Sequence, residues 1–238
     1  MNLKNNFIYK GLKSCYIGLI HFVCDSKRKP LIAPLEEGLK RLSFAANGGG
    51  GNSNSIKDLS IISSNCFAGR IMQDIGMQYN TPTLGLYFMY PDYIEFLSNL
   101  EYYLKEAKIE FVEHSKYAIG DERRAAWSHW YPIGLLGGKV EIHFLHYYTE
   151  EEAAEKWYRR AKRVNFDRLL IIGMQQNLCT KKDIEAFDTL PFEHKIMFSN
   201  LELPLKSNEY MPEFQNSDSV GDPYRKGDIF YRHLISRL

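Results

Sequence analysis

The sequence predicts an α/β fold, a three-layer, Rossmann-like arrangement on a mostly parallel sheet, with helical additions at the N- and C-termini. Three observations carry that expectation. Leu59-Ser60-Ile61-Ile62 and Arg168-Leu-Leu-Ile-Ile-Gly-Met174 are short apolar runs, the pattern of strands buried on both faces. Segments of helical spacing separate such runs, and strands alternating with helices form a parallel sheet covered on both sides. The chain has 238 residues, 45% hydrophobic and 25% charged, a globular composition long enough for a sizeable core.

The N-terminal part is set off from the rest. Asn47-Gly-Gly-Gly-Gly-Asn-Ser-Asn-Ser55 has the composition of a flexible connector. The expected organisation is therefore a helical appendage over 1–46, a linker over 47–55 and an α/β domain over 56–238. Within the appendage, Cys15 to Cys24 is apolar and lies between Lys4, Lys10 and Lys13 on one side and Lys27-Arg28-Lys29 on the other. A bilayer needs about 20 apolar residues, so this segment is too short to cross one. A first helix packed on the domain is the favoured reading. The alternative is a weak contact of residues 1–29 with an anionic membrane surface.

Each later element has its own signal. Leu59–Ile62 is the first strand; Ser63-Ser64-Asn65-Cys66 is a tight turn, and Ile71, Met72 and Ile75 mark the buried face of the helix that follows. Thr83–Phe88 reads as a second strand, and Pro91-Asp92 opens a helix running to Leu104. Ile109–Glu113 alternates with the period of a strand, whereas 114–138 is irregular and holds Trp127, His129, Trp130 and Gly137-Gly138. Val140–His146 is a further strand. Thr149 and Glu152 have capping-box spacing before a helix whose buried stripe is Ala153, Trp157, Ala161 and Val164. The basic residues Arg159, Arg160, Lys162 and Arg163 close that helix and complement its dipole. Arg168–Met174, a capped helix from Thr180 and Lys195–Ser199 complete the alternation; a loop-rich tail then leads to a last helix over Ile229–Leu234.

Composition removes several function classes. The net charge is +1, so no overall field draws the chain to nucleic acid. Its four cysteines, Cys15, Cys24, Cys66 and Cys179, include no C-x-x-C pair or zinc-type cluster, which points to a reducing, cytoplasmic setting. No G-x-G-x-x-G fingerprint, P-loop or Asp-x-Asp triplet occurs, and no metal or cofactor is expected. His143 and His146 would point to opposite faces of one strand, against a two-histidine metal site, while Glu141 and His143 share a face and can pair beneath a helix.

Three segments carry a resemblance: Ile61-Ile-Ser-Ser-Asn-Cys-Phe-Ala-Gly69; Tyr131-Pro-Ile-Gly134 with Val140-Glu-Ile-His-Phe-Leu-His-Tyr147; and Glu155-Lys-Trp-Tyr-Arg-Arg-Ala-Lys-Arg-Val-Asn-Phe-Asp167. Together they resemble a bacterial family linked to exopolysaccharide or capsule biosynthesis and catalogued as a domain of unknown function. The chain departs from that family's pattern at Ser64, Phe67 and Ala68, and at Gln175-Gln-Asn177, where the family tends to be acidic and basic. The resemblance implies an α/β fold and a polysaccharide pathway.

Ligands of parallel sheets bind beyond the carboxyl ends of the strands, so the polar residues expected there are the candidate site. Tyr90, Asp92, Glu113, His114, Tyr147 and Ser199 fall at such positions. Cys66, at a helix start, is the candidate nucleophile, with His146 as its partner across the crevice if the strand order reverses between the first and fourth strands. Ser63, Ser64, Asn65, Gly69, Arg70, Gln175, Gln176, Asn177 and Asn200 are the candidate ligand-binding residues, their amides and hydroxyls suited to sugar hydroxyls and Arg70 to a phosphate. The resulting expectation is a cytoplasmic transferase, soluble or peripheral to the inner membrane face, acting on a sugar nucleotide or a lipid-linked glycan. A Cys66–His146 acyltransferase or hydrolase and a non-enzymatic glycan-binding protein are the alternatives.

Overall fold

A computed structural model describes residues 25–42 and 56–238. In chain order its elements are α1 (25–41), β1 (Ser60–Ser63), α2 (Phe67–Asp74), α3 (Tyr90–Ser98), α4 (Leu100–Lys105), β2 (Ile109–Val112), α5 (Ala118–Ala126), β3 (Ile133–Leu136), β4 (Val140–His143), α6 (Glu150–Ala161), β5 (Leu169–Met174), α7 (Lys181–Thr189), β6 (His194–Ser199), β7 (Asn208–Tyr210) and α8 (Gly227–Arg237). The described residues divide into two compact units, one of 25–41 with Gly221–Leu238, the other of Leu42 with 56–220.

In the smaller unit, Leu35 and Leu39 of α1 and Phe230, Tyr231 and Leu234 of α8 are buried. Arg28 is buried as well: it pairs with Asp25 and donates from Nη1 to the Tyr224 carbonyl at 3.2 Å. The apolar segment Cys15–Cys24, proposed for membrane contact, lies outside the described residues, as does the 47–55 connector. Among the described residues no helix is long and apolar enough to cross a membrane.

The larger unit is a mixed α/β structure with a four-stranded parallel sheet flanked by helices, in the order β1-β5-β6-β7. Ile61 pairs with Leu170, Ile171 with Lys195 and Phe198 with Glu209. Every residue of β1 and β5 is buried, which accounts for their unbroken apolar pattern. Helix α2 packs on β1 and α7 on β6. The second sheet is antiparallel, β2-β3-β4, with β3 and β4 joined through Gly137 (φ 60°) and Gly138 (φ 69°). Two successive left-handed residues are what glycine supplies without steric cost.

Several expectations are corrected here. Thr83–Phe88 is not a strand: only Tyr87 forms a bridge, exchanging both backbone hydrogen bonds with His143 at 3.0 Å. Phe88 N–H donates instead to Ser64 O at 3.0 Å, so this extended segment stitches the end of β1 to the antiparallel sheet. The helix from Tyr90 breaks at Asn99 (φ −132°) into α3 and α4. The strand expected to reach His146 ends at His143 and lies in the antiparallel sheet, which places Glu113, His114 and His146 off the edge of the parallel one. Within 114–138 there are a helix, α5, and a strand, β3; β7 adds a fourth strand to the parallel sheet.

The helix caps follow their residues. Thr180 and Asp183 form a full capping box, Thr180 N–H donating to Asp183 Oδ2 at 2.8 Å and Asp183 N–H to Thr180 Oγ1 at 3.4 Å. Thr149 Oγ1 accepts from Glu152 N–H at 3.1 Å, while the Glu152 carboxylate pairs with Lys156 at 3.3 Å instead of reaching back. The stripe Ala153, Trp157, Ala161 and Val164 is buried as its spacing requires.

Candidate functional site

The turn after β1 organises itself. Ser63 Oγ donates to Asn65 O at 2.5 Å and accepts from Ala68 N–H at 2.9 Å, and Asn65 Oδ1 accepts from Phe67 N–H at 3.0 Å. Two of the free donors at the start of α2 are thus satisfied by the chain. Ser64 is held through its backbone, between Ile172 O and Phe88 N–H. Gly69 gives room to Leu84, whose Cδ1 would lie 2.0 Å from a Cβ at that position. Arg70 grips Asp74 with two contacts, Nε to Oδ2 at 3.1 Å and Nη2 to Oδ1 at 3.0 Å.

The amides expected at the sheet edge do meet. Asn65 Nδ2 donates to Gln176 Oε1 at 2.9 Å and to Met174 Sδ at 3.1 Å, tying the end of β1 to that of β5. Gln176 Nε2 donates to Val220 O at 3.1 Å, and Gln175 Oε1 accepts from Asn200 N–H at 2.8 Å. Asn200 Nδ2 donates to the Phe214 and Ser217 carbonyls. Asn177 takes a left-handed φ of 51° and accepts from Arg123 Nη1 at 2.8 Å. These contacts make the predicted rim a hydrogen-bonded seam across the tips of β1, β5 and β6.

Cys66 and His146 reach the same extended segment, the His146 N–H donating to Gly85 O at 2.9 Å. Cys66 is buried, and its Sγ donates to Leu86 O at 3.3 Å. His146, on the surface, sets its ring edge-on to Trp127 at 6.3 Å. Desolvation, and then the neighbouring His129, hold its imidazole below the ordinary 6.5 and so neutral near pH 7. No hydrogen bond joins Cys66 to His146 among the described residues.

Around His146 lies a group of exposed rings that the sequence registered only as irregular. Trp127 is 42% exposed, Trp130 53% and Tyr148 67%. Tyr148 stacks on His129 at 4.5 Å with 27° between planes, and His129 acts electrostatically on His146, joining the two ring pairs into one patch. The signal was in Trp127-Ser-His-Trp-Tyr131, four rings in five residues.

Two buried polar groups lie inward of this surface. Glu141 and His143 are fully buried and meet at 2.7 Å, Oε1 to Nε2, as their shared face suggested. Ser115 Oγ also donates to Glu141 Oε1 at 2.5 Å, and Lys116 N–H to Oε2 at 2.7 Å. Burial alone would raise the Glu141 carboxyl, but the bonds from His143, Ser115 and Lys116 outweigh it and hold it below its ordinary 4.5. The His143 ring stacks on Tyr87 at 4.5 Å and 13°, and α5 turns Gly120 toward it, where a Cβ would come within 2.8 Å of Cε1. Among the described residues His143 Nδ1 has no hydrogen-bond partner. The second group is Arg160. The sequence placed it with the basic residues closing α6, yet it stands seven residues after Ala153 and three after Trp157, on the buried face. Its Nη1 donates to Tyr147 Oη at 2.5 Å, and Tyr147 in turn donates to Leu84 O at 2.5 Å.

Together these features define an α/β protein with an exposed aromatic patch beside buried polar groups. The chain belongs to the family described as Domain of unknown function (DUF1919), whose model matches residues 52–236. It is also 35% identical over 165 residues to an uncharacterized protein of Haemophilus influenzae, an alignment covering 69% of this chain and 73% of that protein.

Proposed function

We propose that this protein is a cytoplasmic enzyme of exopolysaccharide or capsule biosynthesis, a transferase acting on a sugar nucleotide or lipid-linked glycan, with Trp127, Trp130 and Tyr148 receiving the sugar. The observation that carries this reading is the patch itself: three large rings, each more than 40% exposed, two of which, Trp127 and Tyr148, are set against the imidazoles of His146 and His129 while Trp130 follows His129 in the chain. Soluble proteins bury rings of this size, and a contiguous group left at the surface marks a binding site. Flat apolar faces beside polar donors match a sugar ring, which offers C–H faces and hydroxyl edges. His146, neutral near pH 7 at the edge of the patch, is suited to accept a proton from an acceptor hydroxyl. The Asn65–Gln176 and Gln175–Asn200 seam is the second polar surface in this reading.

Binding of capsular oligosaccharides, followed by saturation-transfer NMR, tests the assignment. Trp127→Ala and Tyr148→Ala should each weaken binding about three- to tenfold, about 1 kcal/mol per ring, with the melting temperature unchanged. Undiminished affinity in both variants would overturn it. The openness of the patch favours one second reading, a glycan-binding protein without catalysis. Turnover of a sugar nucleotide, abolished in His146→Ala with glycan binding retained, separates the two.

A further inference from the structure

We propose that Arg160 is the receptor for a phosphate group, so that the ligand of this protein is a phosphate ester or diphosphate of a sugar. This deepens the glycan reading by naming the residue that holds the phosphate of its substrate, and it rests on a different observation: a buried cation with no carboxylate paired to it among the described residues.

Arg160 is 8% exposed. A guanidinium carries five N–H donors, and the contacts of this one are the Tyr147 hydroxyl and the face of Tyr79, with Cζ 5.8 Å from the ring centroid. Among the described residues no carboxylate forms an ion pair with it. The remaining stretches, 1–24 and 43–55, contain neither Asp nor Glu. Glu152, which stands one turn below Lys156, is already paired with it. Tyr147 does not provide the negative charge: burial pushes its phenol above the ordinary 10 despite the neighbouring Arg160, and its proton is committed to Leu84 O. Two other ionisable groups act on Tyr147: Cys66, which gives its proton to Leu86 O, and Glu152, whose carboxylate pairs with Lys156.

An unpaired buried charge costs several kcal/mol, and a fold that keeps one gains by binding the opposite charge. The guanidinium fork matches two phosphate oxygens at once. Position agrees with chemistry. Tyr147, which holds Arg160, lies in the chain between His146 and Tyr148 of the aromatic patch, its side chain buried while theirs are exposed. The proposed phosphate site is thus joined to the patch through Tyr147. Nucleotide diphosphate sugars and polyprenyl-linked sugars share this chemistry.

Calorimetric titration of the full chain with inorganic pyrophosphate, uridine diphosphate and farnesyl phosphate tests the proposal and separates the sources. Saturable binding of at least one is expected, reduced tenfold or more in Arg160→Met and also weakened in Arg160→Lys, which keeps the charge but loses the fork. Preference for uridine diphosphate assigns a nucleotide donor, and preference for farnesyl phosphate a lipid-linked one. In buffer without multivalent anions, Arg160→Met should melt no lower than the wild type, because the change removes an unpaired charge; a guanidinium serving only the fold would leave that variant clearly less stable. Failure of the wild type to take up any of the three, binding unchanged in both variants, or an unfolded Arg160→Met each overturns the proposal. Loss of oligosaccharide binding without loss of pyrophosphate binding would instead strike the aromatic patch alone.

Discussion

Two buried carboxylates, Glu141 and Asp92, are shifted in opposite directions by neighbours of opposite generosity. Glu141 receives three hydrogen bonds and sits below its ordinary 4.5. Asp92 is raised above 3.8 chiefly by burial; Lys116 Nζ reaches Oδ1 at 2.5 Å, but among the described residues Oδ2 has no hydrogen-bond partner. Stability rises with pH wherever the unfolded chain binds more protons than the folded one. For Glu141 that holds between its lowered folded value and 4.5, so its contribution is complete above 4.5 and is lost as the pH falls through the folded value. For Asp92 the folded chain holds the proton more tightly, so between 3.8 and its raised value stability falls as the pH rises. Denaturant titrations across the acid range should therefore show a flatter rise with pH in Glu141→Gln and a steeper one in Asp92→Asn. Glu141→Gln should also lose about 1–3 kcal/mol at neutral pH, the cost of leaving a buried hydrogen-bonding partner of the carboxylate unsatisfied. Slopes that change in the same direction would refute this assignment. The pairing of Glu141 with His143 was legible, because residues two apart on a strand share a face. The burial of Arg160 was open to the same logic on a helix, but its place in a run of basic residues pointed to solvent instead.

At the scale of elements, legibility followed where the backbone hydrogen bonds go. Strands β1, β5 and β6 bond to one another and sit in apolar surroundings, so an apolar run announces each of them. The 84–88 segment has a strand's composition but divides its bonds between Ser64 and His143, and no local pattern encodes that division. Helix α5 was hidden for a different reason: it buries only Gly120 and shows no apolar stripe. The capped helices were the most readable, since both capping threonines precede strong periodic patterns. Their caps differ in completeness, and stability should follow. Thr180→Ala removes the Oγ1 that accepts from Asp183 N–H and donates to Asp183 Oδ2, leaves the backbone half of the box, and should cost about 1–2 kcal/mol, whereas Thr149→Ala removes one accepted bond and should cost about 0.5–1 kcal/mol. Chemical denaturation of the two variants measures the difference, and equal losses would show that the bond from Thr180 Oγ1 to Asp183 Oδ2 adds nothing.

For the molecule as a whole, the balance of 30 basic against 29 acidic residues bears on how it meets an anionic ligand. A protein that gathers phosphates on a surface patch of lysines and arginines does so through a field that salt screens within about 8 Å at physiological ionic strength. Affinity then falls steeply as salt is added, because each neutralised phosphate releases counterions. Here the net charge of +1 provides no such field, and the proposed receptor is a single guanidinium withdrawn from solvent beneath Tyr147. Buried charges are screened far less than exposed ones. Pyrophosphate affinity should therefore weaken no more than about threefold between roughly 50 and 300 mM sodium chloride, and the chain should leave a heparin column at low salt. A loss of about a hundredfold over that range, with firm retention on heparin, would mean that exposed lysines and arginines do the binding, and Arg160 would then be no more than a minor contributor to it.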